Sequence, residues 1–276
     1  MDFNIFLIQV LNGVQYGLLL FLVASGLTLV FGIMGIINVA HGSFYMIGAY
    51  LAWSLAAQAG SFWLALPLAI VLSVLIGLAL EWLVIRWLYK RDHLYQVLCT
   101  YGLILVFEEL RSILWGDDVR SLPIPALLNQ SIPLTDTLTY PVYRLWISLV
   151  CLVVALGLYL AIQKTRLGMS IRAGATDRDM VQSLGINIQL LYRIVFAAGI
   201  ALASFAGMIA APVSAVAPGM GNRPLGVFST FFPAQSAQIE MNGQFAPHAT
   251  WLEKRGDRQS SSACLALSET WVKPRG

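Results

Sequence analysis

Charge is the scarcest ingredient of this sequence: Asp, Glu, Lys and Arg make up 11% of its 276 residues, against about 25% in soluble domains. Hydrophobic residues make up 58% and the mean hydropathy is +0.74, so a water-soluble fold of this size would expose much apolar surface. The net charge of +3 is small and scattered, which excludes a nucleic-acid binder with a basic stripe. Cysteine is also scarce. Cys99, Cys151 and Cys264 are lone thiols without metal or redox spacing, so a disulfide scaffold is excluded, and the first two lie in apolar runs as packing residues. Catalytic signatures are missing too: there is no G-x-x-x-x-G-K-[ST] and no H-E-x-x-H, and His41, His93 and His248 are far apart. An intramembrane enzyme would have to assemble Glu108, Glu109 and His41 from different spans, so the chain is read as a non-enzyme needing no metal or cofactor.

What the sequence has in abundance is apolar length. A bilayer core about 30 Å thick needs roughly 20 apolar residues per helix. Six stretches qualify: Ile5 to Phe31, Val39 to Ala57, Phe62 to Leu88, Leu94 to Trp115, Leu145 to Ile162 and Leu191 to Val216. The first is no cleaved signal peptide, since it lacks a basic leader and its apolar run is too long. The expected fold is an all-α, polytopic transmembrane helix bundle.

Basic residues set the orientation. The loop after the third span carries Arg86, Lys90 and Arg91, and the loop after the fifth carries Lys164, Arg166, Arg172 and Arg178. Between them, the connection from Trp115 to Tyr143 carries Arg120 against Asp117, Asp118 and Asp136. Both basic loops are therefore expected in the cytoplasm and the N-terminus outside. Pro123, Pro125, Pro133 and Pro141 make the acidic connection a looping cap rather than a long helix.

Composition changes at residue 223. Of the charged residues, 21 lie in the first 222 positions and 10 in the last 54. The chain divides into a transmembrane domain, residues 1–222, and a hydrophilic tail, residues 223–276, without an 18-residue apolar run. The tail reads either as an ordinary solvated segment or as foreign to the fold, through a frameshift or altered termination.

Several residues inside the spans invite a role. Gly13 and Gly17 in the first span, and Gly199, Ala203 and Gly207 in the sixth, have the spacing that lets helix backbones approach. Gly32 and Gly35 loosen the chain ahead of Asn38, His41 and Ser43. A broken helix at membrane depth is tolerated only within protein or beside a wet cavity, and there it offers amides and polar side chains to a solute. Either these three residues line a translocation path, or Asn38 caps the next helix and His41 bonds a neighbour. Glu108 and Arg111 are three apart and can pair on one helix face; Glu108 is a further pathway candidate. Glu81 and Arg86 read as interfacial.

The most informative polar segment is the loop 164–192. Thr176 with Asp179 forms a capping box, Asp177 and Asp179 suit the first turn, and Gly185 marks the stop. A short helix from Asp177 to Leu184 is expected, with Met180, Val181 and Leu184 on one face. Two turns are marginal alone, so either the bundle or a soluble partner should bury that face. Uphill transport would have to draw on an ion gradient or a partner ATPase.

These segments carry a resemblance. Gly26-Leu27-Thr28-Leu29-Val30-Phe31-Gly32-Ile33-Met34, running into Asn38-Val39-Ala40-His41-Gly42, resembles the hallmark of branched-chain amino-acid ABC-transporter permeases. Gly168-Met169-Ser170-Ile171-Arg172-Ala173, with Asp177 and Gly185-Ile186-Asn187, is similar to that family's coupling loop, and Ala206-Gly207-Met208-Ile209-Ala210-Ala211-Pro212 also fits. The similarity covers Met1 to Gly221 and points to the smaller permease subunit.

The resemblance implies an ABC importer permease in the bacterial inner membrane. Its partners would be a second permease, two cytoplasmic ATPases that bind and hydrolyse ATP, a periplasmic amino-acid-binding protein and membrane lipid. Thr176, Asp177, Asp179, Met180, Val181 and Leu184 would then seat in an ATPase. Within that lineage leucine, isoleucine and valine compete with urea and short amides as cargo. An ATP-independent channel or secondary transporter is the other class. Family members continue with further glycine-rich helices, whereas this chain has its tail, which puts the activity of a truncated product in question.

Overall fold

The computed structural model describes residues 3–36, 38–89, 91–135 and 138–221; the expectation for the tail from residue 223 onward lies outside them. Six long helices occupy the six apolar stretches: α1 (Phe3–Met34), α2 (His41–Ala59), α3 (Phe62–Leu80), α5 (His93–Trp115), α6 (Val142–Lys164) and α9 (Ile188–Ser214). A π-helical turn, Glu81–Ile85, extends α3 into the short α4 (Arg86–Leu88), and α7 (Arg166–Thr176) and α8 (Arg178–Ser183) lie between α6 and α9. The proline-rich connection forms a 3-10 turn at Ala126–Leu128 and an antiparallel ladder of β1 (Ser131–Thr135) with β2 (Leu138–Pro141), Ser131 opposite Pro141.

Among the described residues, four helices are long and apolar enough to cross a membrane: Ile5–Met34, Phe62–Leu88, Val142–Lys164 and Ile188–Ser214. This is a multi-pass, all-α membrane protein. The other two long helices are less apolar for different reasons. α2 carries His41, Ser43 and three tyrosine or tryptophan rings, and its first twelve residues are all buried. α5 carries Gln96, Thr100, Glu108, Glu109 and Arg111, and buries Gln96, Thr100 and Arg111. A polar group turned into protein escapes the cost that lipid would impose; this covers α2 and the buried groups of α5, whereas Glu109 is exposed.

Packing centres on α9, which touches α1, α2 and α3. Glycine makes the approach possible. A Cβ on Gly48 would collide with Ser204 backbone, and one on Gly207 with the Tyr45 carbonyl oxygen. A Cβ on Gly199 would stand 2.7 Å from a Val30 methyl, and one on Gly26 2.8 Å from the Gly199 carbonyl oxygen. The sixth-span glycines therefore act as their spacing suggests. Gly13 and Gly17 do not: both are exposed, with nothing within 4 Å of an added Cβ. Spacing alone does not say which glycine pair meets a neighbour.

The helix ends are pinned by polar contacts. At the end carrying the acidic connection, Asn12 Oδ1 accepts from the Tyr140 hydroxyl at 3.1 Å and from Arg144 at 2.5 Å, and Arg120 pairs backbone to backbone with Val216. At the opposite end, where both basic loops emerge, Tyr89 meets Tyr192 edge-on, ring centroids 5.2 Å apart. The alternation of loop charge along the sequence is thus an alternation in space.

Candidate functional site

The chain breaks where the glycines suggest, but at one of them. α1 runs through Gly32 to Met34, and Gly35, at φ 64°, turns it. α2 then starts in the protein interior. Asn38, His41 and Ser43 are 2%, 0% and 3% exposed. Asn38 does not cap α2 with its side chain: Ala40 holds the cap position, and Asn38 contributes its carbonyl to the His41 amide at 3.3 Å. Both polar atoms of the Asn38 carboxamide are buried without a hydrogen-bond partner, as is His41 Nδ1. His41 Nε2 lies 3.1 Å from the Val23 carbonyl oxygen, and the imidazole closes on Gly26. Buried polar atoms are nearly always paired, so three orphaned ones at one buried helix start set this place apart within the bundle.

Glu108 stands apart from that trio. Its carboxylate accepts from Arg111 Nε at 3.3 Å, the helix-face pair expected from the spacing. Arg111 also donates to Asp117 at 2.9 Å and to the Gly116 carbonyl at 2.7 Å, and lies over the Tyr50 ring. Arg111 and the Ser112 hydroxyl hold the Asp117 carboxyl below the usual carboxylate range. Glu108 thus belongs to an arginine-centred knot that ties α5 to the acidic connection.

The loop between α6 and α9 is more helical than its sequence suggests. α7 is an amphipathic helix capped by Thr165, whose Oγ1 accepts from the Gly168 amide at 3.0 Å. α7 claims Thr176 as its last residue, and the Thr176 hydroxyl donates back to the Arg172 carbonyl. The capping box anticipated at Thr176 and Asp179 is therefore absent. Asp177 is the cap instead, at φ −147° and ψ 106°, its Oδ1 accepting from the Met180 amide at 3.0 Å. Gly185, at φ 82°, stops α8 as anticipated. The three apolar residues do not share one face: Val181 is 3% exposed and faces the bundle, whereas Met180 and Leu184 are 63% and 72% exposed. On α7, Leu167 and Met169 are exposed as well.

Glu81 stands near the end of the third span, as the sequence suggests, but its side chain is turned into the protein and is 2% exposed. The π-helical turn directs it inward, where one carboxylate oxygen accepts from the Tyr89 hydroxyl at 2.6 Å and the other forms an ion pair with Arg193 Nε at 3.3 Å. Burial, then the bond to Glu81, raises the Tyr89 pKa well above the ordinary phenol, so the hydroxyl stays the donor. The only sequence signal was an acid and an aromatic eight residues apart at the end of a span. Among the described residues, no three His, Cys, Asp or Glu side chains are grouped to hold a metal ion.

The sequence comparisons say which proteins this helix bundle is related to. The profile of the permease component of branched-chain amino acid transport systems matches residues 9–231. The LivH permease protein of the high-affinity branched-chain amino acid transport system of Escherichia coli K12 is 31% identical over 223 residues, covering 75% of this chain and 71% of that protein. The BraD permease protein of the corresponding Pseudomonas aeruginosa system is 30% identical over 230 residues, 78% of this chain and 74% of its own. A probable branched-chain amino acid transport permease of Methanocaldococcus jannaschii is 26% identical over 225 residues, covering 78% and 69%. No solved structure matches the chain. With a match across most of its length, this chain belongs to the family of branched-chain amino acid transport permeases.

Proposed function

We propose that this protein is the smaller permease subunit of an ATP-driven importer for leucine, isoleucine, valine or related amino acids, in the cell's inner membrane. The partners are a second permease, two cytoplasmic ATPases that supply ATP hydrolysis, and a periplasmic binding protein that delivers the cargo; the permease itself needs no cofactor. The observation that carries this reading is the pair Met180 and Leu184, exposed on a capped helix whose third apolar residue, Val181, anchors it to the bundle. An exposed apolar edge on a short, firmly rooted helix is what a soluble partner would grip. Thr176 and Asp177 set the end of α7 and the start of α8, and Asp179 belongs by sequence to the first turn, where negative charge suits a helix start. The orphaned groups of Asn38 and His41, with Ser43 beside them, support a path between α1, α2 and α9. Glu108, the remaining pathway candidate, pairs with Arg111 beside the acidic connection.

Replacing Met180 and Leu184 together with aspartate tests the reading, and sparing Val181 keeps the bundle contact. In membranes or liposomes holding the full complex, the double variant should insert normally, lose its ATPase subunits on purification and import at least about tenfold less amino acid, as loss of a hot-spot pair at an interface predicts. Undiminished retention of the ATPases and undiminished uptake would overturn it.

A further inference from the structure

We infer that Glu81, Tyr89 and Arg193 form the joint through which movement of the α7–α8 element reaches α3; the inference rests on the proposed docking of α8. Three segments converge on one carboxylate. Glu81 opens the π-helical turn at the end of α3, Tyr89 comes directly after α4, and Arg193 projects from the second turn of α9. Each oxygen of Glu81 meets a different segment, one accepting from the Tyr89 hydroxyl at 2.6 Å and the other in an ion pair with Arg193 Nε at 3.3 Å. The rings of Tyr89 and Tyr192 close the same gap from the side.

The root of α9 has little slack relative to α8. The Ile186 amide donates to the Val181 carbonyl at 3.3 Å, and Asn187 caps α9 by accepting from the Leu190 amide at 3.1 Å. Leu191, buried, lies where it would touch a Cβ on Gly174 of α7 at 3.3 Å. A push on Met180 or Leu184 therefore arrives within two turns at Arg193. Glu81 decides how that movement spreads. A carboxylate this deeply buried is costly without its partners, so the cluster moves as a unit or opens as a whole, the discrete behaviour that packed polar groups show. The π-helical turn supplies the compliance: its ladder holds an extra residue, and such turns recur at functional sites. Ile85 and Leu88 keep its inner face packed while Trp82, Leu83 and Trp87 face outward, so the turn can shift without exposing core.

The test uses the complete transporter in liposomes with the binding protein supplied, and reads amino acid imported per ATP hydrolysed. Glu81→Gln and Arg193→Gln should each lower that ratio about tenfold, within the range expected of coupling residues, while the ATPase subunits stay bound. Tyr89→Phe, which deletes one hydrogen bond and leaves the ion pair, should lower it about threefold. The reversed pair, Glu81→Arg with Arg193→Glu, should recover to within about threefold of wild type, as a direct pairwise interaction requires. Wild-type ratios in both glutamine variants and in Tyr89→Phe would overturn the inference. So would a reversed pair no better than the single variants while Tyr89→Phe leaves the ratio untouched, because that pattern marks a merely structural bond. Failure of the wild-type complex to import would instead strike the importer reading itself.

Discussion

Helices α2 and α6 invert the rule that serves for soluble proteins. α6 is among the most apolar helices of the chain, yet only 11% of its apolar window is buried within the protein. α2 is too polar to stand as a span by composition, and twelve consecutive residues from His41 to Ala52 are buried. Lipid is as apolar as leucine, so the hydrophobic effect does not sort residues between bundle and surroundings. What sorts them is the ability to approach another backbone closely and the cost of showing a polar group to lipid. In this pair of helices the one of lower hydropathy is the inner one, and it starts beside the orphaned groups of Asn38 and carries that of His41.

The largest effect should come from attacking the close approach that lets α2 sit inside. Gly207→Leu places carbon against the Tyr45 carbonyl, and Gly48→Leu against Ser204 backbone; backbone cannot step aside as a side chain can. Each should cost about 3 kcal/mol or more, beyond ordinary overpacking, and appear as loss of the monodisperse protein in detergent and a large fall in Tm. Gly157→Leu on α6 is the control. Nothing lies within 4 Å of a Cβ there, and leucine is the better helix former by somewhat under 1 kcal/mol, so Tm should hold or rise. Equal damage at Gly157 and Gly207 would erase the contrast between the two helices.

A smaller effect should result from emptying the polar helix start without loosening it. His41→Gln keeps an amide able to reach the Val23 carbonyl that His41 Nε2 approaches at 3.1 Å. It removes Nδ1, one of the orphaned atoms. Protein yield and Tm should stay near wild type while uptake falls about tenfold, the signature of a lost interaction with the moving solute rather than with the fold. Unchanged uptake would leave His41 a packed residue with a satisfied neighbour.

The place of each long helix along the chain could be read from the sequence, but not its azimuth. Apolar length located all six long helices to within a few residues, because a bilayer imposes a length that composition records. That quantity does not say which way a residue points around its helix. Glu81 was therefore legible as a span-end residue but not as an inward one, and the π-helical turn that directs it has no compositional mark. Gly13 and Gly17 carry the spacing of a contact and make none. α7 was hidden by its two glycines, its serine and its threonine, which lower helix propensity, although Thr165 is a good cap. Where α7 ends also decides the capping of α8: once Thr176 belongs to α7, Asp177 is the first residue free to turn extended and accept an amide. Local rules compete there, and the neighbouring element decides between them.

The smallest effect is expected on the outer face of α6, and it tests what covers that face. Leu149, Leu152, Leu156 and Leu160 are all exposed and spaced three or four apart, a continuous stripe along the helix. Against lipid, truncating two of them exchanges one hydrocarbon contact for another, so Leu152→Ala with Leu156→Ala should change Tm by no more than about 0.5 kcal/mol would, as surface substitutions do. The same pair should leave the yield of complex unchanged if the second permease sits elsewhere. A loss of complex on purification, with the isolated subunit as stable as wild type, would assign this stripe to a protein neighbour. α6 would then be an inner helix of the assembly, and its contrast with α2 a property of the single subunit alone.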